Sequence, residues 1–145
     1  MILALIHLGS CLYLTGLIWT VQIVHYPSFL YVGQDKFEAF NVFHQKAMTY
    51  IVAPVMILEL LTGLLICFND VSSIKNWFLF SLIILIWVST FVLSVPIHSK
   101  LLSQGYDVYT IQQLVTTNWP RTILWSLRSV LLLYIMGSVV YEFGK

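Results

Sequence analysis

Residues 77–97 read WFLFSLIILIWVSTFVLSVPI, a run that contains no charged side chain. About 20 consecutive apolar residues are enough for a helix to cross the hydrocarbon core of a bilayer. Working outward, residues 2–24 form a second uncharged run, residues 48–68 carry a single acid, Glu59, and residues 121–141 enclose Arg128. Backbone N–H and C=O groups find no partner in lipid, so such segments must be helices. The expected fold class is therefore all-α: a four-transmembrane-helix bundle forming a single integral membrane domain over residues 1–145. Composition agrees. Of the 145 residues, 59% are hydrophobic and 9% charged, with a mean hydropathy of +0.89. Soluble domains carry about a quarter charged residues. A net charge of +1 supplies no basic field for nucleic acid. The two cysteines, Cys11 and Cys67, lie inside apolar runs and form neither a disulfide framework nor a metal motif.

Leu8-Gly9-Ser10-Cys11 has the look of a lipoprotein cleavage box, but no basic residue precedes it and the apolar run continues well past Cys11. That favours a retained helix. A short polar turn over residues 69–76 makes the second and third helices antiparallel neighbours. The other two links are longer and share the opposite side. Asp35 is placed to cap a short helix over 36–46, where Phe37, Phe40 and Phe43 recur at near-helical spacing. Asp107 is placed to cap another that carries Val108, Ile111, Leu114 and Val115. Both read as interfacial helices. Tyr26, Tyr50, Trp77, Trp119 and Tyr141 fall near span ends and fit an aromatic belt. Lys36, Lys46, Lys100 and Arg121 lie on the long-link side, against Lys75 and Lys145 opposite. This excess places the long links in the cytoplasm and both termini outside.

In so apolar a chain the polar exceptions carry the information. His7 and His25 are 18 residues apart, five full turns and roughly 27 Å along a regular helix. Cys11, Leu14, Ile18 and Gln22 lie on or near the same face. The third helix aligns Trp87, Thr90 or Phe91, Ser94 and His98; the fourth aligns Asn118, Arg121, Trp125 and Arg128. Polar stripes face the bundle interior because charged and imidazole groups are costly against lipid. Depth then separates a rim group (His25, His44, His98, Asn118 and Arg121, with Gln22 one turn deeper) from a deeper Glu59–Arg128 pair that His7 can join.

Each group admits a plain and a sharper reading. Glu59 and Arg128 form a structural ion pair, or Glu59 is a proton-handling or substrate-binding catalytic acid. The three rim histidines make interfacial hydrogen bonds, or His25, His44 and His98 hold a transition metal, iron or zinc. Alternatively, His7 and His25 are axial heme ligands. In Asn118-Trp119-Pro120-Arg121-Thr122, Asn118 or Thr117 can cap the fourth helix, and Arg121 at its N-terminus either holds an anion or quinone oxygen or anchors to headgroups. Gln22, His25, Asn118, Arg121 and Trp125 are the candidate ligand-binding set. Pro54 and Pro96 are expected to kink the second and third helices.

Trp19-x-x-Gln22-x-x-His25-Tyr26-Pro27-x-Phe29, His44, Glu59, Pro96-x-His98 and Asn118-Trp119-x-Arg121-Thr122 with Trp125 resemble a set of small bacterial four-span membrane proteins without an assigned activity. The resemblance covers nearly the whole chain and implies a bacterial inner-membrane protein. More remotely, size and topology resemble the anthrone-oxygenase-like membrane family. The histidine and Tyr-Pro of the first helix are weakly similar to the heme-binding membrane protoporphyrinogen oxidases, although this chain reads His25-Tyr26-Pro27-Ser28 where those carry a longer Tyr-Leu-Pro-Arg element.

Three functions follow. The first is a membrane protein binding a small hydrophobic or anionic ligand in a pocket at one membrane face. The second is a metal- or heme-dependent oxidoreductase or hydroxylase. The third is a small proton-coupled transporter built on Glu59 and Arg128, as a homo-oligomer because four helices enclose little volume. No nucleophile–base pair, phosphate loop or CxxC motif points to a hydrolase, nucleotide enzyme or thiol oxidoreductase.

Overall fold

The computed structural model describes residues 2–143. Five helices account for almost all of them: α1 (Ile2–Tyr31), α2 (Gln34–Asn69), α3 (Ile74–Gln104), a short α4 (Val108–Thr117) and α5 (Trp119–Phe143). The four long helices pack in a ring, α1 on α2, α2 on α3, α3 on α5 and α5 back on α1. Sequence neighbours are therefore spatial neighbours, as short connections require. Among the described residues, α1, α2 and α3 are long and apolar enough to cross a membrane. Their outer faces carry large exposed side chains such as Ile2, Ile23, Phe78 and Val92. Such a surface suits an apolar surrounding such as lipid. The chain is a membrane protein with a four-helix bundle fold.

The first link departs from expectation. Residues 36–46 do not form a separate interfacial helix; they are the opening turns of α2, which runs unbroken over 36 residues. Nothing between Lys46 and Met48 stops a helix, so the chain continues. Gly33, not Asp35, occupies the N-cap, and Asp35 sits in the first turn, where its charge suits the helix dipole. Phe37 is buried, whereas Phe43 is exposed. At 1.5 Å per residue α2 is about 54 Å long, against about 30 Å of hydrocarbon. α2 is thus longer than the hydrocarbon is thick. Phe29, Phe37, Leu101, Ile111 and Leu114 bury together at the end of the bundle where the long links lie, and Tyr106 Oη donates to the Leu30 carbonyl at 3.2 Å.

The second link does contain a short helix, α4, and Asp107 caps it, accepting from Thr110 N–H at 2.9 Å. The Thr110 hydroxyl and amide beside Asp107 hold its carboxyl below the usual aspartate range. A depressed carboxylate pKa stabilises the fold above the unfolded-state value, and that contribution is lost as pH falls through the folded-state value. Asp107→Ala is therefore expected to lower the melting temperature at neutral pH. It should also flatten the dependence of melting temperature on pH below the ordinary aspartate range, read in a detergent thermal scan.

Two widened turns shape the site. Tyr26 N–H bonds to Val21 C=O, and Val95 N–H to Thr90 C=O. Each reaches five residues back instead of four, forming a π turn. Each turn ends just before a proline, Pro27 or Pro96. A proline ring collides with the carbonyl four residues earlier, and the wider turn relieves that collision. One extra residue is thereby inserted into the face of α1. Tyr26, not His25, becomes the inward residue: Tyr26 is 4% exposed and buried, while His25 turns partly outward.

Candidate functional site

Two polar layers lie inside the bundle. The deeper one centres on Arg128 of α5, paired with Glu59 of α2. Arg128 Nη2 also donates to His7 Nε2 at 3.0 Å, and Trp125 Nε1 donates to Glu59 Oε2 at 3.1 Å. Thr62 donates its hydroxyl proton to the Leu58 carbonyl at 2.7 Å, so it accepts from His7 Nδ1 at 2.8 Å. These directions fix His7 as the neutral Nδ1–H tautomer, because arginine can only donate. Gly63 allows the close approach of α1: a Cβ there would stand 2.7 Å from Ile83 Cδ1 and 3.1 Å from His7 Cε1. Cys11 Sγ lies 3.7 Å from Arg128 Nη1 and 3.5 Å from Ser129 Oγ, and Ser129 bonds Thr15 at 2.7 Å. Both cysteines are free and buried.

The rim layer is a second network. Gln22 anchors it, donating to the Val115 carbonyl at 3.0 Å and accepting from Asn118 Nδ2 at 2.9 Å. The side-chain oxygen of Asn118 accepts from Arg121. Arg121 Nη2 also donates to Tyr26 Oη at 3.3 Å, and Tyr26 Oη meets His98 Nε2 at 3.1 Å. Tyr26 accepts from Arg121, and the direction of its contact with His98 Nε2 follows the His98 tautomer. His25 Nε2 and His44 Nδ1 are hydrogen-bonded at 2.6 Å, and the His44 and His98 rings stack at 5.5 Å. Neither Asn118 nor Thr117 caps α5 with its side chain. Asn118 is committed to Gln22 and Arg121, and Thr117 Oγ1 bonds back to Gln113 C=O at 2.7 Å.

Beside the rim layer lies a cavity of about 330 Å³. Tyr26, His44, His98 and Arg121 stand at its polar end, Trp125 is shared with the deeper layer, and Leu14, Met48, Val52, Met56 and Trp87 supply apolar wall. Thr49, Phe91, Val95 and Ser99 line it and are exposed. The cavity thus opens sideways between α2 and α3, at the end remote from the turn that joins them.

Of the candidate ligand-binding set, Arg121 and Trp125 line this cavity; Gln22, His25 and Asn118 do not. Gln22 and Asn118 hold Arg121 from behind. Tyr26 is not part of an aromatic belt, because the π turn carries it inward. Gln45 and Trp87 also line the cavity, and Gln45 donates to the His98 carbonyl at 3.2 Å. The Trp87 stripe was the only advance sign of either. The structure brings His25, His44 and His98 together, but their facing nitrogens bond one another and Tyr26. Among the described residues no group of three or more His, Cys, Asp or Glu is arranged to hold a metal ion. His7 and His25 belong to different layers, each committed to a protein partner, and share no axial position for heme. Lys145, counted in the charge balance, lies outside the described residues. Comparison with family models, with curated proteins and with solved structures finds no match.

Proposed function

We propose that the protein is a multi-pass inner-membrane protein that binds a small amphipathic molecule in the cavity between α1, α2, α3 and α5. In this reading α5 is the fourth span, α4 lies at the interface, and the long-link end faces the cytoplasm beside Lys36, Lys46 and Lys100. The observation that carries the reading is the cavity itself. Ligand sites are concave, mostly apolar, and marked by a few convergent polar groups, in the range of about 300–1,000 Å³. A volume of about 330 Å³ with Tyr26, His44, His98 and Arg121 at one end fits that description. Its sideways mouth, where Thr49, Phe91 and Val95 fall inside the expected spans, suits a molecule arriving from the lipid phase. The Glu59–Arg128–His7 network is the bundle's internal brace, since Glu59 already has Arg128 and Trp125 as partners.

The test is an organic extract of protein purified in detergent. A small molecule at close to one per chain is expected, lost when the cavity is filled by Ala53→Trp or Val52→Phe. A folded wild-type protein whose extract is empty, and which takes up no added amphiphile, would overturn the reading.

A further inference from the structure

The cavity is chemically one-sided. Three of its lining residues carry a buried polar atom with no partner: Trp87 Nε1, His98 Nδ1 and Arg121 Nε. Trp87 Nε1 and Arg121 Nε can only donate. Among the described residues, no buried oxygen on the lining is left unmatched. An unmet buried donor costs about as much as a lost hydrogen bond, so an acceptor brought within reach of these residues offsets that cost.

Charge narrows the class further. Arg121 is 8% exposed, and its two protein partners are neutral oxygens, Asn118 Oδ1 and Tyr26 Oη. No carboxylate of a described residue lies within 4 Å of it. Arg128, buried in the same helix, is matched by Glu59. Buried charges are ordinarily paired, and Arg121 lines the cavity. Resting on the cavity being a binding site, we infer that its ligand is a single-chain anionic amphiphile, an aliphatic carboxylate of the fatty-acid type. The carboxylate supplies the charge that Arg121 lacks and an acceptor for Trp87. The chain lies along Leu14, Met48, Val52 and Met56 toward the mouth between α2 and α3. One chain is expected, because the volume is at the small end of the ligand-site range.

Native mass spectrometry of the full chain, released from phosphatidylcholine nanodiscs after titration with hexadecanoate, hexadecanol or hexadecyl phosphate, tests this directly. Wild type is expected to take one hexadecanoate, about tenfold or more tighter than hexadecanol. Arg121→Gln should bring the two within about threefold of each other, and Arg121→Lys should keep the preference for the acid. Trp87→Phe leaves Arg121 and its partners in place and should weaken hexadecanoate by about threefold to tenfold; it serves where Arg121→Gln does not fold. Equal binding of acid and alcohol by wild type overturns the inference, as does an acid preference that survives Arg121→Gln. Preference for the alkyl phosphate overturns the carboxylate assignment. If none of the three binds but the purified protein's extract holds another molecule, the anionic class fails while the cavity remains a binding site; an empty extract removes both.

Discussion

Arg128→Ala is expected to cost the bundle about 3–5 kcal/mol, the usual penalty for removing one member of a buried ion pair. The reason is what stays behind. Glu59 is 1% exposed; without Arg128 it keeps the Trp125 indole N–H but loses its ion-pair partner, and His7 Nε2 loses its donor. Glu59→Gln should cost less, because a neutral amide tolerates burial that a carboxylate does not. Combining it with Arg128→Met should recover much of the loss, since replacing both partners removes the stranded charge. Unfolding by graded denaturing detergent in mixed micelles reads these differences. A double variant no more stable than Arg128→Ala would sink the stranded-charge account.

Trp125→Ala should have an effect of similar size, about 3–5 kcal/mol for removing a large buried aromatic. Trp125 is 1% exposed and joins the two layers: its indole N–H serves Glu59 while its ring walls the cavity. Helix association in lipid rests on packing rather than on a hydrophobic driving force, so a void at this position is not offset elsewhere. Trp125→Phe keeps most of that packing but removes the donor, which should cost about 1–3 kcal/mol. The two variants together separate the ring's contribution from that of the N–H. A loss below about 1 kcal/mol for Trp125→Ala would show that the cavity wall closes over the gap.

Much of the interior was legible wherever a helix stays regular. On α5 the spacing of Asn118, Arg121, Trp125 and Arg128 placed all four inward, and all four are buried. Glu59 opposite Arg128 followed from depth along α2. On α1 the same rule holds through His7, Cys11, Leu14, Ile18 and Gln22 and then fails. The π turn at Val21–His25 adds a residue, so a face counted at a constant pitch lands on His25 instead of Tyr26. That one-residue slip is why a tyrosine assigned to the membrane surface stands between His98 and Arg121. The long reach of α2 was missed for a different reason. Polar residues over 36–46 read as a separate segment, although helix continuity depends on the absence of a breaker and not on hydropathy.

Hydropathy and helical pitch are local properties, and they were sufficient to determine four long helices, most of their inward stripes and the two depths at which polar groups collect. Partner choice is not local. Which oxygen Arg121 receives, which histidine nitrogen carries a proton, and which helices part to leave a cavity depend on atoms brought together from positions up to 121 residues apart, as in the contact between His7 and Arg128. Only the tertiary structure decided that Arg128 is matched and Arg121 is not. In a low-dielectric interior every charge must be answered by some neighbour, and the neighbour is set by packing.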